Sequence, residues 1–353
     1  MWRLLRNPVV WIGLAISLGA LYLAFRGLHW KDVGQALADA NYWLLALAVL
    51  LVLVTILTRS IRWGVLFYPR RGLGLGHLFG SLNVGYSVNN IAPMRLGEVV
   101  RAYALRETER VSLAHALSTI LVERTLDTLT VIGILVITLP FVDAPSWART
   151  PVLVAGPIFL TLGVLLALLS AAREGAMRVV SWSVRFLPER FRSGVEQAAD
   201  AAIEGFGTLR QPWVLTQALA WSVLSWMSSA LFVYVTIRAF GMDLPFTAGM
   251  FVMATTSLGM AVPGLPGYIG VYHAIAIKSL TGPFGVERTA AASFALVSHA
   301  IMYVTPMVLA AVYLWRERST WRRVRLWITA RDGATAAASP IDAPDAVESQ
   351  TTP

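Results

Sequence analysis

The sequence contains no cysteine and carries little charge. Of its 353 residues, 14% are charged and 56% are hydrophobic. The absence of cysteine excludes disulfides, thiolate zinc sites and thiol nucleophiles. Soluble domains have about 25% charged residues, so the low charge indicates that hydrocarbon surrounds most of the chain.

Several catalytic motifs are also missing from the sequence. It has no nucleotide-binding P-loop, no H-E-x-x-H, no D-x-D and no G-x-S-x-G. Lys278-Ser279 resembles the end of a P-loop, but Ile277 stands where that motif needs glycine. We therefore predict no catalytic residues, no metal site and no cofactor, and we favour a transporter over an enzyme.

Long apolar runs predict an all-α integral membrane protein. A helix needs about 20 apolar residues to cross the roughly 30 Å hydrocarbon core of a bilayer. Arg3 and Arg6 precede the first run, which we interpret as an uncleaved span and not as a signal peptide. The six candidate spans are 8–25, 41–58, 117–140, 151–171, 213–237 and 290–315.

Two further apolar stretches are interrupted by glycine, asparagine or proline. They cover 78–93 and 246–280, and we predict that each is a broken, re-entrant element, so that the chain has six to eight spans. Residues 93–97 and 263–267 share a P-x-x-x-G frame, which favours an inverted repeat of the kind found in transporters. The alternative is that apolar helices resemble one another by composition.

The distribution of basic residues predicts the topology. The formal charge is +9, and most arginines fall on one side of the predicted membrane, as the positive-inside rule requires. This pattern places both termini in the cytoplasm, in the plasma (inner) membrane, and argues against a nucleic-acid partner. The predicted organisation is one polytopic membrane domain (1–330), with halves at about 41–171 and 213–315, an amphipathic cytoplasmic connector (173–210) and a disordered cytoplasmic tail (331–353).

The densest group of polar residues follows the first broken element. Asn90 ends an apolar stretch, and Arg95 and Arg101 then bracket Glu98. A helix N-terminus with two nearby guanidiniums suits a phosphate or another anionic headgroup. The alternative is an ordinary cytoplasmic loop with interfacial arginines.

Three charged residues lie inside the third predicted span. Glu123, Arg124 and Asp127 each face an insertion cost of about 2.5 to 3.5 kcal/mol at mid-span, so they need partners or a wet cavity. We expect Arg101 or Arg59 to face these carboxylates. They form either a polar path for a headgroup or a purely structural set of ion pairs.

Two other motifs lie near the ends of predicted spans. Arg59, Arg62 and Trp63 form R-x-x-R-W at the inner end of the second span, where interfacial anchoring explains them. The second broken element offers Tyr268 and His273 to the outer part of a cavity, unless it is a plain proline kink. His299 occupies the place in the last span that Arg124 occupies in the third.

Together these motifs resemble the lysylphosphatidylglycerol synthase transmembrane family, which is also called flippase-like. The resemblance covers about residues 5–320. The motifs are R-x-x-R-W at 59–63, P-x-R-x-G-E-x-x-R at 93–101, E-R-x-x-D at 123–127 and P-G-x-x-G at 263–267.

The resemblance implies a bacterial or archaeal plasma-membrane protein that moves a lipid or lipid-linked headgroup between leaflets, or a membrane partner of an envelope-lipid enzyme. No soluble aminoacyl-transferase domain follows the last span, so lipid lysylation is not expected. Tyr272-His273 also stands where the family often has glutamate. The alternatives are an integral-membrane transferase or accessory subunit for phospholipid or polyprenyl-phosphate modification, and a non-catalytic scaffold.

We predict that the headgroup-binding residues serve a membrane phospholipid or lipid-linked substrate. They are Arg59, Asn90, Arg95, Glu98, Arg101, Glu123, Arg124, Asp127, Tyr268 and His273.

Overall fold

All regular structure in the described residues is helical. The computed structural model describes residues 8–70, 72–92, 96–150, 173–186, 207–260 and 266–317, with single positions between 153 and 161 and between 192 and 200. Short 3₁₀ turns lie at Leu139–Phe141 and Pro266–Tyr268. The helices are α1 (Pro8–Phe25), α2 (Trp30–Ala38), α3 (Tyr42–Val65), α4 (Leu75–Ile91), α5 (Gly97–Glu109), α6 (Leu113–Thr138), α7 (Arg173–Val184), α8 (Pro212–Ala239), α9 (Phe246–Gly259), α10 (Val271–Phe284) and α11 (Arg288–Arg316).

Three helices in the described part, α3, α8 and α11, are long and apolar enough to cross a membrane. The shortest of them has 24 residues and at 1.5 Å per residue is about 36 Å long. Helices α1 and α6 coincide with two other predicted spans, whereas most of 151–171 lies outside the described residues. The helical fold class is therefore confirmed, and the number of spans and the inverted repeat stay predictions.

Polar side chains set the starts of two long helices. Asn41 accepts hydrogen bonds from the backbone N–H groups of Trp43 and Leu44 at the start of α3, at 3.1 and 3.2 Å. Ser112 accepts one from His115 N–H at the start of α6, at 3.1 Å. These bonds satisfy donors that a helix N-terminus otherwise leaves free.

The helices pack side by side around a core of small and aliphatic residues. Helix α3 lies along α8, which also contacts α9, while α4 contacts α5 and α11, and α10 contacts α1, α9 and α11. Outward-facing apolar residues such as Leu50, Val308 and Trp315 remain exposed. An exposed apolar surface of this kind suits contact with lipid.

The prediction that 78–93 is interrupted by its glycines and asparagines is wrong, because α4 runs as one helix over Leu75–Ile91, and the first break lies after it, between α4 and α5. Asn89 near the end of α4 accepts a hydrogen bond from Gly97 N–H at the start of α5, at 2.8 Å. A Cβ atom on Gly97 would collide with the backbone of Gly85. Glycine at these two positions therefore lets α4 and α5 pack closely as a hairpin.

The second break meets the first. The Asn90 amide donates to Tyr303 O at 3.2 Å, and the Tyr303 hydroxyl donates to Asn90 O at 3.1 Å. The carbonyl of Gly267 in the second break accepts from His299 Nε2 at 2.8 Å. Helix α11 thus forms hydrogen bonds with the chain at both breaks. Whether the two elements are re-entrant stays a prediction.

The predicted connector contains α7, on which Trp182 is exposed, and Phe186 just after the helix is also exposed. Phe191 and Phe206 in the same connector lie outside the described residues, as does the predicted tail at 331–353. The amphipathic position of the connector on the membrane surface therefore stays a prediction.

Candidate functional site

Arg62 is the centre of a buried group of ion pairs. Its side chain is fully buried, and its Nη1 lies 2.6 Å from Asp127 Oδ1 while Nη2 lies 3.6 Å from Glu123 Oε1. Its Nη1 also donates to Ser222 Oγ at 2.9 Å. The interpretation of Arg62 as an interfacial anchor is therefore wrong, because α6 and α8 cover this face of α3.

Arg101 approaches the same carboxylates from α5. Its guanidinium lies 3.2 Å from Glu123 Oε1 and 4.9 Å from the centroid of the Trp63 ring. Trp63 is fully buried and donates from Nε1 to Thr119 Oγ1 at 3.0 Å. The expected contact of Arg101 with the carboxylates is confirmed, and the interfacial role expected for Trp63 is wrong.

Arg124 connects the ion-pair group to a cavity. Its guanidinium pairs with Glu123 and lies 3.1 Å from Asp127 Oδ2. It also lies 3.9 Å from Glu98, and its side chain is 31% exposed. Arg124 Nε is buried and makes no hydrogen bond within the part of the chain that is described, and the Glu98 carboxylate is the acid that faces it.

Arg59 contacts uncharged groups. Its Nη1 donates to Tyr86 OH at 3.0 Å and its Nε donates to Ser225 Oγ at 3.1 Å. The guanidinium carbon also lies 4.6 Å from the centroid of the Trp226 ring. This cation therefore faces the cavity without a directly bonded carboxylate among the described residues.

Among the described residues, four guanidiniums and three carboxylates meet in this region, which leaves one excess positive charge. The arginines are Arg59, Arg62, Arg101 and Arg124, and the acids are Glu98, Glu123 and Asp127. Positive charge among apolar helices has few water molecules to solvate it, so an anionic ligand would be favoured here.

A cavity of about 280 Å³ opens beside these arginines. Its charged lining residues are Arg59, Glu98 and Arg124, and its uncharged polar ones include Asn89, Asn90 and Ser229. Much of the remaining wall is aromatic or methionine-rich. These residues are Tyr86, Trp226, Tyr268, Tyr272, His299, Tyr303, Met253, Met260 and Met302.

A cluster of tyrosine and histidine forms the wall contributed by α10 and α11. Tyr272 and Ser298 share a hydroxyl hydrogen bond of 2.9 Å. Tyr272 stacks on His299 with ring centroids 4.9 Å apart, and His273 meets His299 edge-on at 4.8 Å. We call Tyr272, His273, Ser298 and His299 the Tyr-His cluster.

The cavity gathers half of the predicted headgroup-binding residues. Arg59, Asn90, Glu98, Arg124 and Tyr268 line it. Behind the wall, Arg101, Glu123 and Asp127 contact one another or Arg124, and His273 contacts His299. Arg95 lies outside the described residues.

Sequence reasoning missed several residues of the site. Arg62 supplies the main partner of Asp127, and Trp226 donates from Nε1 to Asp127 Oδ1 at 3.0 Å. Ser222 and Ser225 on α8 then bind Arg62 and Arg59. The signal available was the i, i+3 spacing of the two serines on an apolar helix, which places both hydroxyls on one face.

Comparison with known proteins decides the family. A family model described as the lysylphosphatidylglycerol synthase TM region matches residues 10–310. The chain belongs to this family. The match confirms the resemblance seen in the motifs and supports a multi-pass membrane protein.

Curated relatives from archaea share most of the chain. Two proteins named UPF0104 membrane protein, from Methanothermobacter thermautotrophicus, are 28% and 23% identical over 305 and 321 residues, covering 80% and 86% of this chain and 88% of each relative. Glycosyltransferase AglD from Haloferax volcanii is 25% identical over 346 residues, covering 87% of this chain but 54% of AglD. AglD is therefore nearly twice as long as the region that it shares with this chain.

Proposed function

We propose that this protein binds the anionic headgroup of a lipid in its cavity and moves that headgroup between the leaflets of the plasma membrane. The observation that carries the proposal is the excess positive charge beside the cavity, with Arg59 and Arg124 on its wall. The family match supports a membrane setting for this charge.

A bound anion would offset the cost of this charge. Hydrogen bonds to charged groups contribute about 1.5 to 3 kcal/mol each, and guanidinium pairs well with phosphate oxygens. Arg62 and Arg101 would hold Glu123 and Asp127, so that these carboxylates position Arg124 without competing for the ligand. In this proposal the ion pairs hold Arg124 in position and do not bind the ligand themselves.

The two breaks supply an argument for movement. Both reach the cavity, through Asn90 of the first and Tyr268 of the second. Non-helical backbone at membrane depth is tolerated where it lines a cavity. A shift of one break relative to the other, with Tyr303 as their shared contact, would alternate access to the two leaflets.

Leaflet exchange of a labelled lipid tests the proposal. The protein is reconstituted into vesicles that contain acyl-labelled phosphatidylglycerol, and a membrane-impermeant quencher reports the label in the outer leaflet over time. Arg59→Gln removes one cation from the wall and should slow exchange roughly 10- to 100-fold, the equivalent of one charge-assisted hydrogen bond. Arg106→Gln, on an exposed part of α5, is the matched control and should exchange like the wild type.

Two results would contradict transport. One is wild-type exchange no faster than in empty vesicles, and the other is equal rates for wild type and Arg59→Gln. Thermal unfolding of each variant in detergent shows whether a lower rate reflects lost structure.

The proposed orientation has a direct test because the chain has no native cysteine. Ser181→Cys on α7 should react with an impermeant thiol reagent from the cytoplasmic side, and Gly282→Cys on α10 from the opposite side. Both positions are accessible, and a Cβ on Gly282 meets no atom within 4 Å. Labelling of both from one side would overturn this topology, including the cytoplasmic termini.

A second candidate function is that of an integral-membrane transferase, or its accessory subunit, that modifies a lipid. The match to a protein named glycosyltransferase AglD favours it. The same cavity would then hold the phosphate of a polyprenyl-phosphate or phospholipid for modification. Covalently altered lipid that appears on expression in a null background, without leaflet exchange, would favour this role over transport.

A scaffold without a ligand is the remaining alternative. Mass spectrometry of lipids that copurify with the protein separates it from the other two. A specific anionic lipid at stoichiometric amounts, lost in Arg59→Gln and kept in Arg106→Gln, would exclude the scaffold.

A further inference from the structure

The charges on the cavity wall point to one class of lipid headgroup. Building on the proposed function, we infer that the site selects a lipid with one phosphodiester anion and a small, uncharged, hydroxyl-bearing group, and that it rejects headgroups of net positive charge such as that of lysyl-phosphatidylglycerol. The family description names an enzyme of lysylphosphatidylglycerol, so this selectivity separates the chain from what that description suggests.

The wall matches a single negative charge. It carries the cations Arg59 and Arg124 and the carboxylate of Glu98. In the layer behind the wall, two arginines pair with two carboxylates. These are Arg62, Arg101, Glu123 and Asp127. Among the described residues the excess of one positive charge therefore belongs to the wall, and one phosphodiester neutralises it.

The carboxylates are not placed to bind a cation. Glu123 and Asp127 are buried and held by Arg62, Arg101 and Arg124. The third acid, Glu98, lines the cavity but lies 3.9 Å from Arg124. An ammonium group on the headgroup would meet guanidiniums of like charge in a site with little water to screen them.

Two hydroxyl groups of the wall, those of Ser229 and Thr256, can accept a hydrogen bond from a ligand. Ser229 donates its hydroxyl to Ser225 O at 3.1 Å, and Thr256 donates to Val252 O. Because each hydroxyl has donated its hydrogen, its lone pairs remain for a donor on the ligand. A hydroxyl group on the ligand is a neutral donor of this kind.

The distance between Ser225 and Ser229 along α8 fits a headgroup in which a polyol is attached to the phosphate. Ser225 contacts Arg59, and Ser229 lies four residues further, about 6 Å along the helix axis. A phosphate at Arg59 would therefore place the first hydroxyls of an attached glycerol or hexose near Ser229.

The size of the cavity limits the headgroup. Its volume of about 280 Å³ lies just below the range of roughly 300 to 1,000 Å³ found for pockets that hold drug-sized ligands. One phosphate with one glycerol or one hexose suits this space, whereas an oligosaccharide does not. The flat, uncharged faces of Tyr272, His299 and Tyr303 suit the C–H groups of such a polyol.

Leaflet exchange of a charge series tests the inference. Vesicles contain one acyl- or prenyl-labelled probe at a time: phosphatidylglycerol, a polyprenyl phosphohexose, phosphatidic acid or lysyl-phosphatidylglycerol. The first two carry one negative charge and a neutral polyol, and they distinguish a glycerophospholipid from a lipid-linked sugar as the source of the headgroup. We expect the faster of them to exchange at least tenfold faster than lysyl-phosphatidylglycerol.

A charge variant sharpens the test. Glu98→Gln raises the wall charge by one and should shift preference severalfold from the phosphodiester probes toward phosphatidic acid, whose phosphomonoester carries more negative charge. Asp32→Asn removes an exposed carboxylate from α2 and is the control, with an unchanged order of preference.

The outcomes separate the two proposals. Exchange of lysyl-phosphatidylglycerol as fast as the phosphodiester probes, or an unchanged order in Glu98→Gln, overturns the headgroup selectivity and leaves transport intact. No exchange of any probe above empty vesicles overturns the proposed function itself.

Discussion

Two regions beside the same cavity stabilise buried polar groups in different ways. One is the ion-pair group around Arg62, and the other is the Tyr-His cluster of α10 and α11. Arg124 and His299, which occupy similar places in the third and last predicted spans, both line the cavity. Among the described residues, the charged groups that line the cavity come from the first half of the chain, and the second half contributes uncharged side chains, many of them rings.

The difference indicates where the loss of an ion-pair or hydrogen-bond partner costs most. In the ion-pair group each buried charge depends on a partner on another helix, such as Arg62 of α3 with Asp127 of α6. In the Tyr-His cluster, neutral hydrogen bonds such as that of Tyr272 with Ser298 suffice. The loss of a partner is therefore more costly in the first region than in the second, and the following variants test this order.

Arg62→Met should have the largest effect on stability. It leaves Asp127 and Glu123 buried with fewer counter-charges, and removal of one partner from a buried ion pair costs about 3 to 5 kcal/mol. We expect a strong fall in thermal unfolding temperature in detergent. The double variant Arg62→Met with Asp127→Asn should recover part of the loss, and an unchanged unfolding temperature in the single variant would break the comparison.

His299→Phe should have an intermediate effect. The ring keeps its packing, but the carbonyl of Gly267 loses the donor at 2.8 Å. An unsatisfied buried polar group costs about 1 to 3 kcal/mol. Faster hydrogen exchange of the backbone near 266–270 should accompany the loss, whereas a loss as large as in Arg62→Met would show that the neutral region is no less dependent on its partners.

Tyr272→Phe should have a smaller effect. It removes one hydroxyl that bonds to Ser298, and Ser298 keeps its bond to Phe294 O at 2.7 Å. The expected loss is about 1 kcal/mol in the free energy of unfolding. Exchange of labelled phosphatidylglycerol should stay within a fewfold of the wild type, and a complete loss would place this hydroxyl among the essential contacts.

Arg238→Gln should have the smallest effect. Arg238 pairs with Asp243 at the end of α8, where both side chains are exposed. Solvent-exposed ion pairs contribute about 0 to 1 kcal/mol. An unfolding temperature close to that of the wild type would show that burial, and not charge itself, makes the Arg62 group sensitive.

The sequence predicted the buried carboxylates of the site better than it predicted the arginines that pair with them. Glu123 and Asp127 stand out because charges are rare inside an apolar run, and Arg101 was expected to face them. Arg62 was assigned to the membrane interface because its place near the end of a span suits snorkelling. Its burial depends on the packing of α6 and α8 against α3, which no local pattern in α3 records.

The breaks show the same division. The prolines and glycines of 263–267 predicted the interruption after α9, which ends at Gly259, whereas the interruption predicted within 78–93 is absent from the described part of that stretch and α4 continues to Ile91. The contacts that bring the two breaks together, between Asn90 and Tyr303 and between Gly267 and His299, join residues far apart in the chain. Such pairings are set by the packing of α11 and not by local periodicity.

The sequence by itself determined the helical class, the membrane setting and the family, because hydrophobicity, charge and motif order act locally along the chain. Only the tertiary structure decided which arginines face the cavity and which pair behind it. The physical reason is that a buried charge is stabilised by groups on other helices, so its role depends on distances in space that spacing in sequence does not specify.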